Sequence, residues 1–246
     1  MRRAWLLLLV ACRDELPKAE LVNDLRILAM RAEPAEAAAG DTVAIDALVV
    51  QPDPPGPTER VWLACVTAQN GPATGCLAPT LPPPCDVAPE ARACVLGTGE
   101  TASWRLPSIA TVQGFVTLAT AMTNDGGIAG CAQALASGGV VPDYCRVAVK
   151  RIPILRAGET PNHNPRLDGL AIDGEHLAVA LAPDAVEAGE NPFLSWFVTA
   201  GEVDHFRTDA NGAGLTNLWT PASQAGRVWV VIRDGRGGES WIEGER

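Results

Sequence analysis

Apolar side chains alternate with polar ones along many short stretches of this chain, and a period of two is typical of half-buried β-strands. Near the start, the spacing of Leu21, Leu25 and Leu28 also fits a helix over residues 21–30, so a helix is the alternative there. In the first half of the chain the alternation predicts strands at about residues 25–29, 43–49, 60–67, 102–106, 114–123 and 146–155.

The second half carries a denser series of the same pattern. Its clearest example is Val228, Val230 and Ile232, which share one face of a strand. Turn dipeptides such as Asp173-Gly174 and Asn211-Gly212 separate the apolar stretches. Seven short strands in such a short region predict a small β-sandwich. We place them at about residues 168–173, 176–181, 193–199, 203–208, 215–219, 227–233 and 239–243.

Segments rich in Pro and Gly divide the chain into regions. Proline removes the amide donor that a central strand needs, so residues 51–58 and the Cys-bearing stretch 69–97 are predicted loops. Residues 157–166 have no apolar periodicity and suit an interdomain joint. We therefore predict an all-β fold of two antiparallel β-sandwich domains in tandem, residues 24–156 and 167–246.

The first residues combine the features of an export signal. Arg2 and Arg3 precede eight apolar residues, 4–11, far fewer than the roughly 20 needed to cross a bilayer as a helix. A plain secretory signal is the alternative, but Leu9 stands where such a cleavage site usually has a small residue. The sequence Leu9-Val10-Ala11-Cys12 resembles the lipobox of bacterial lipoproteins.

This resemblance implies a cleaved signal peptide, residues 1–11, with the cut between Ala11 and Cys12. It also implies that the thiol of Cys12 is acylated, so that the protein is held on a membrane through this residue and a tether over residues 12–23. Arg13 is not the aspartate that retains many lipoproteins at the inner membrane. We therefore expect the protein in the cell envelope, on the outer membrane.

Seven cysteines become six once Cys12 is assigned to lipid, and an even number in an exported chain predicts three disulfide bonds. Cys131 and Cys145 bracket a loop of small residues, so we predict a bond between them, worth about 3 kcal/mol in the chain-entropy model. The other four cysteines allow three pairings, and we favour Cys65 with Cys94 and Cys76 with Cys85.

The charge balance argues against nucleic acid as a partner. Without residues 1–11, which carry two arginines, the formal net charge falls from −10 to −12. A phosphate-binding surface needs clustered Lys and Arg, whereas the basic residues here are scattered among acids. In the mature chain only Lys150 and Arg151 are adjacent.

Sequence motifs for catalysis or metal binding are absent. The chain has no G-x-S-x-G motif, and its three histidines lack the spacing of zinc ligands. Carboxylates in the turns of an exported sandwich can gather around calcium, so Ca²⁺ at Asp125, Asp173 or Asp234 is the alternative. We predict no catalytic, cofactor-binding or metal-ligating residue.

Two tryptophans stand apart from the predicted core positions. Trp229 is out of phase with the core residues of its strand, and Trp241 lies near the chain end. On an exposed face such rings bind sugars or the edge of a partner protein, so both are candidates for a binding surface. The alternative, which is the more common outcome, is that they cover a neighbouring sheet or the first domain.

Short motifs along the chain resemble known envelope modules. Gly40-Asp41-Thr42-Val43 resembles the opening strands of bacterial immunoglobulin-like domains, and Asp234-Gly235-Arg236-Gly237-Gly238 resembles the closing hairpin of PKD-like domains. The whole chain resembles uncharacterised lipoproteins of myxobacteria. The resemblance implies two immunoglobulin-like domains, but it implies little about function because such domains serve many roles.

The lipobox, the cysteine pattern and the missing motifs lead to one functional expectation. We expect a lipid-anchored envelope lipoprotein that acts as a non-catalytic binding or structural module, with a protein or polysaccharide as partner. The alternative is an envelope enzyme, or an accessory subunit of one, with its site in the Pro- and Cys-rich loop 69–97.

Overall fold

The chain consists mostly of antiparallel β-sheets, which confirms the predicted fold class. The predicted signal peptide and Cys12 lie outside the described residues, as does most of loop 69–97. Within the described part, no helix is long and apolar enough to span a membrane. A computed structural model describes residues 18–68, 82–87, 91–108, 112–136, 141–156, 158–220 and 225–246.

The strands fall into two groups along the chain. The first domain contains β1 (Arg26–Glu33), β2 (Ala37–Ala38), β3 (Thr42–Val50), β4 (Thr58–Ala68), β5 (Ala93–Thr98), β6 (Thr101–Arg105), β7 (Val112–Met122), α1 (Gly127–Ala136), β8 (Cys145–Ile152) and β9 (Ile154–Leu155). The second contains β10 (Leu167–Asp173), β11 (His176–Leu181), β12 (Phe193–Val198), β13 (Glu202–Val203), β14 (Arg207–Asp209), β15 (Thr216–Thr220), β16 (Arg227–Arg233) and β17 (Glu239–Glu245).

Two antiparallel sheets face each other in the first domain. One has the strand order β1-β3-β6 and the other β5-β4-β7-β8, while β2 and β9 pair in parallel. This is the arrangement of an immunoglobulin-like sandwich, in which a buried tryptophan on strand C fills the centre. Trp62 on β4 has that position: it is fully buried, and its Nε1 donates to the carbonyl of Gly99 at 2.9 Å.

The second domain repeats this plan. Its sheets have the orders β10-β11-β15-β13 and β14-β12-β16-β17. Trp196 on β12 is fully buried in the centre, and its Nε1 donates to Oγ1 of Thr208 at 3.0 Å. Val228, Val230 and Ile232 point into the same core, as their alternation predicts.

Three segments differ from the expectations or decide between them. The helix α1 extends into the small-residue loop between Cys131 and Cys145, and its residues Ile128 and Cys131, three apart, pack together against β4 and β7. The predicted loop 69–97 contains most of β5, which pairs with β4. At the start of the first domain, β1 forms instead of the alternative helix over residues 21–30.

Disulfide bonds are present in the first domain. Cys131 and Cys145 are bonded, as predicted, and this bond joins α1 to the start of β8. Cys85 and Cys94 form another bond, with Cα atoms 4.8 Å apart. Cys65 is disulfide-bonded as well. Such bonds are typical of extracytoplasmic proteins.

The predicted pairing of Cys65 with Cys94, and with it that of Cys76 with Cys85, is wrong. Cys94 lies opposite Ala64 in the β4–β5 ladder and belongs to the core of the sandwich. Cys65 is the next residue of β4, and successive side chains of a strand point to opposite faces. It therefore packs on the outer face of the sheet, on the other side from Cys94.

The two sandwiches pack face to face. The sheet with β1 and β3 lies against the sheet with β12 and β16, so that four sheets are stacked. In the first domain, β1 and β3 send alternate residues into their own core and towards the second domain. In the second domain, β12 and β16 do the same in the opposite direction. The result is a third apolar layer between the domains, which we call the junction layer.

Candidate functional site at the domain junction

The junction layer is formed by large side chains from the second domain and smaller ones from the first. Trp229 is 1% exposed, and its Nε1 donates to the carboxylate of Glu243 at 3.1 Å. Phe197 and Val231 pack beside it, and Trp241 lies at the margin. The first domain contributes Leu28, Ala29, Leu48 and Val50, and the segment before it contributes Val22.

This layer corrects the candidate binding surface. Trp229 and Trp241 do leave the core of their own sandwich, but Trp229 is buried against the first domain and Trp241 is partly buried beside it. Trp241 packs on the junction layer and lies 4.8 Å from the guanidinium carbon of Arg31. Alternation in the sequence shows that a face points outward, and it cannot show whether another domain covers that face.

Side chains from the second domain and the linker occupy the free edge of β1. The edge strand of a sheet presents unpaired backbone groups that can pair with another chain. Here three hydrogen bonds, spaced at every second residue, satisfy three of these groups. They join Arg233 Nη2 to the carbonyl of Leu28 at 2.6 Å, the N–H of Met30 to Glu239 Oε1 at 3.3 Å, and Asn164 Nδ2 to the carbonyl of Ala32 at 2.8 Å.

A buried ion pair joins the domains beside this edge. Nζ of Lys150 on β8 donates to Oε1 of Glu239 on β17 at 2.6 Å and to the carbonyl of Gly237. Nε of Arg233 donates to the other oxygen of Glu239 at 3.1 Å. A charge is tolerated in such a buried position only when it is paired and hydrogen-bonded, so these side chains depend on one another.

The linker is fixed to both domains by Asn162. Its Nδ2 donates to the carboxylate of Asp234 at 2.7 Å, and its backbone N–H donates to Oε2 of Glu36 at 2.9 Å. The Asp234 carboxylate also accepts the backbone N–H groups of residues 236–238. The predicted closing hairpin is therefore held by its own aspartate and by the linker.

Carboxylates surround Arg236 at the rim of the junction. Its guanidinium lies 3.0 Å from Glu187, 3.3 Å from Glu36 and 3.7 Å from Glu190. Burial raises the pKa of Glu190, whose side chain is only 3% exposed, above its ordinary value. The hydrogen bond from the side chain of His163, at 2.9 Å, lowers the pKa of Glu187.

A cleft of about 560 Å³ opens beside Arg236. The first domain, the linker and the closing hairpin all contribute to its lining, so it exists only while the domains are joined. Its lining combines charged and apolar side chains, so it offers both kinds of contact to a ligand. The residues that define it are Glu36, Ile154, Leu155, Arg156, Glu159 and Arg236.

Residues 18–22 attach to the second domain. The N–H of Val22 donates to the carbonyl of Val198 at 2.8 Å, and the N–H of Val198 donates to the carbonyl of Glu20 at 2.9 Å. Val22 is fully buried, and Lys18 forms an ion pair with Glu202. The predicted tether over residues 12–23 is therefore shortened, because its last residues pair with β12.

The structure shows where the histidines and the turn aspartate that were considered as metal ligands lie. His205 lies 3.4 Å from its neighbour Asp204, and His176 is exposed at the start of β11. The carboxylate of Asp234 accepts hydrogen bonds from backbone N–H groups of its own turn. Within the ranges that the structure describes, no group of three or more His, Cys, Asp or Glu side chains is arranged to hold a metal ion.

Sequence reasoning missed the polar residues of the junction. One signal was present: Lys150 alternates with Ala148 and Ile152, which pack on the core of the first sandwich. A lysine at a core-facing position requires a buried partner. The identity of that partner, Glu239, depends on the contact between the domains, which no local pattern encodes.

No family model and no curated relative matches the chain. Three solved structures resemble it at 12% sequence identity. The D0-D1 domains of intimin have a TM-score of 0.23, covering 89% of this chain and 97% of theirs. The D00-D0 domains of intimin have a TM-score of 0.26, with 90% and 96% covered. The adhesin InvE of Yersinia pseudotuberculosis has a TM-score of 0.23, with 91% and 60% covered. Likenesses this weak say nothing about partners.

Proposed function

We propose that this protein is a lipid-anchored lipoprotein of the bacterial cell envelope and acts as a rigid, non-catalytic binding or structural module. The observation that carries the proposal is the docking of residues 18–22 on β12. Because of it, the docked segment begins at Lys18, six positions after Cys12 in the sequence. An acylated Cys12 would therefore hold one rigid body close to a membrane.

The junction supports the rigidity of this body. Domains in one chain move relative to each other unless their interface is large and hydrophobic. Here the junction layer is apolar, and the buried pair of Lys150 and Glu239 crosses between the domains. Such a body presents its surfaces in a fixed relation to the anchor, which suits a structural or binding role.

The cleft beside Arg236 is our candidate for the binding surface. It is lined by both acidic and basic groups, among them Glu159 and Arg156, next to the apolar Ile154 and Leu155. A protein segment or a polysaccharide chain of the envelope offers polar groups that such a lining can bind. The proposed partner therefore binds at the junction and not on a tryptophan face.

Detergent partitioning of the full-length protein tests the anchor. We expect the wild type to enter the Triton X-114 phase and its N-terminal peptide to carry the mass of acyl chains. The Cys12→Ser variant should stay in the aqueous phase. As a matched control, Arg13→Ser changes the adjacent residue and keeps the thiol, so it should partition like the wild type. Membrane retention of Cys12→Ser would contradict the proposal.

Retention on isolated cell wall and on immobilised envelope proteins tests the binding role. Glu159→Arg reverses a charge at the exposed lining of the cleft, and Asp168→Arg makes the same kind of change at an exposed residue of β10 that does not line it. We expect Glu159→Arg to reduce retention several-fold while Asp168→Arg retains the wild-type level. Equal retention of the two variants would argue against the cleft as the binding surface.

A further inference from the structure

The docked segment that begins at Lys18 lies at one end of β1, and the cleft lies at the other end. Nη1 of Arg26, the first residue of β1, donates to the carbonyls of Ala19 at 2.7 Å and Leu21 at 3.2 Å. The strand ends at Glu33, three residues before Glu36, which lines the cleft. Its eight residues span about 26 Å at the rise of a β-strand.

Strand β16 of the second domain runs in the same direction, from the end near Ala19 and Leu21 towards the cleft. At its start, Nη2 of Arg227 donates to the carbonyl of Gln51 and to Asp53, on a loop of the first domain. At its end, Arg233 is followed by Asp234 in the hairpin beside the cleft. The body therefore has two distinct ends. We call them the entry end (Lys18, Asp53, Glu202, Arg227) and the cleft end (Glu36, Arg156, Glu159, Arg236).

The reach of the tether limits the orientations of this body. Five residues lie between Cys12 and Lys18, and even a fully extended chain of the resulting six residue steps spans only about 20 Å. That length is shorter than β1. An inverted body, with its cleft end at the membrane, would need a tether that runs the whole length of the strand.

We propose that the entry end faces the phospholipid surface and that the cleft end points away from it, towards the envelope partner. This inference rests on the proposed anchor at Cys12 and adds the direction in which the body is held. The membrane is thus the partner of the entry end, and the cleft remains accessible.

Charges at the entry end are balanced within the protein. Lys18 pairs with Glu202, and Arg227 pairs with Asp53 at 2.6 Å. Each of these two basic groups is therefore neutralised by an acidic partner, which weakens its attraction to anionic lipids. The acylated residue, together with the short tether, therefore sets the orientation. We expect the unlipidated protein not to bind vesicles.

Quenching of fluorescent dyes by headgroup-nitroxide phosphatidylcholine tests the orientation. Glu202→Cys and Glu159→Cys place the same dye on exposed glutamates at the entry end and the cleft end. In vesicles that carry the lipidated protein, we expect at least three-fold stronger quenching at position 202 than at position 159. A dye joined after Arg246 provides a reporter that alters no side chain, because Arg246 pairs with Gly226 at the entry end. It should be quenched like position 202.

The outcomes separate this inference from the anchor itself. With Cys12→Ser, neither dye should be quenched, because the body does not bind. Lipidated protein that fails to bind vesicles would overturn the anchor and the orientation together. Bound protein with equal quenching at both ends, or with stronger quenching at position 159, would overturn the orientation and leave the anchor in place.

Discussion

Lys150 of the first domain and Glu239 of the second form an ion pair of 2.6 Å in which both side chains are less than a tenth exposed. The carbonyl of Gly237 and the guanidinium of Arg233 complete their hydrogen bonds. Two charges can leave water in this way only as a set, because Lys150 alone would keep only a carbonyl and Glu239 alone would lose its most buried charged partner. The pair therefore couples the folding of one sandwich to the presence of the other.

Replacing Lys150 by Met should destabilise the whole protein. The substitution leaves the Glu239 carboxylate buried without its main partner, so we expect unfolding in urea to lose about 3–5 kcal/mol. The double variant Lys150→Met, Glu239→Gln removes both charges and should recover part of that loss. A double variant that is no more stable than Lys150→Met alone would show that the charge of Glu239 is not the cause.

Trp229→Ala should remove a large part of the junction layer. Truncation of a buried tryptophan costs about 3–5 kcal/mol, and we expect this loss in urea unfolding followed by circular dichroism. Leu218→Ala is the control, because Leu218 is 38% exposed on β15 and its truncation should cost less than about 1 kcal/mol. A Trp229→Ala variant as stable as this control would mean that the domains are not packed on each other.

Asn164→Ala should open the edge of β1. It leaves the carbonyl of Ala32 without its 2.8 Å donor, which costs about 1–3 kcal/mol for a buried acceptor. Faster amide hydrogen exchange along β1 should accompany the loss. Asn211→Ala is matched in chemistry, and Asn211 makes no capping hydrogen bond, so exchange in β1 should stay unchanged there. Equal exchange in both variants would contradict the role of Asn164.

Glu190→Gln should stabilise the protein at neutral pH. Because burial raises the pKa of Glu190, the folded state holds this proton more tightly than the unfolded state does. Stability therefore falls as pH rises above the ordinary glutamate value, and a neutral glutamine removes that penalty. Urea unfolding should show a gain at pH 7 that disappears as the pH approaches about 4. A gain that persists at the lower pH would have another cause.

Glu187→Gln should have the opposite pH dependence. Its pKa is lowered by the hydrogen bond from His163, so the ionised carboxylate stabilises the folded state above the ordinary glutamate value. That contribution is lost as the pH falls through the folded pKa. Urea unfolding should therefore show a loss for the variant at neutral pH that shrinks in acid. A loss that is constant with pH would indicate packing instead of charge.

The two-fold alternation of the sequence predicts much of each sandwich. Val228, Val230 and Ile232 pack where the pattern places them, and Trp62 and Trp196 fill the two cores. Local patterns suffice here because an inward-facing side chain in a strand has one destination, the opposite sheet. The helix α1 escaped prediction because small residues carry little periodic contrast.

The candidate site was less predictable, for a physical reason. Trp229, Lys150 and Glu239 owe their environments to contacts between segments that are far apart in the sequence. A side chain that leaves its own core looks the same in sequence whether it meets water or another domain. The disulfide pairing failed in a similar way, because the faces of Cys65 and Cys94 depend on the register between β4 and β5.

The pairing of Val22 with Val198 has a consequence for the order of events during synthesis. The ribosome makes residues 18–22 before any of the named strands, but their partner strand β12 is among the later strands to be made. The first sandwich can assemble early, whereas its apolar outer face and the segment before it must wait for the second. A chain interrupted before β12 would therefore expose Val22, Leu28 and Leu48 together. Such an exposed apolar surface makes an incomplete chain prone to aggregation.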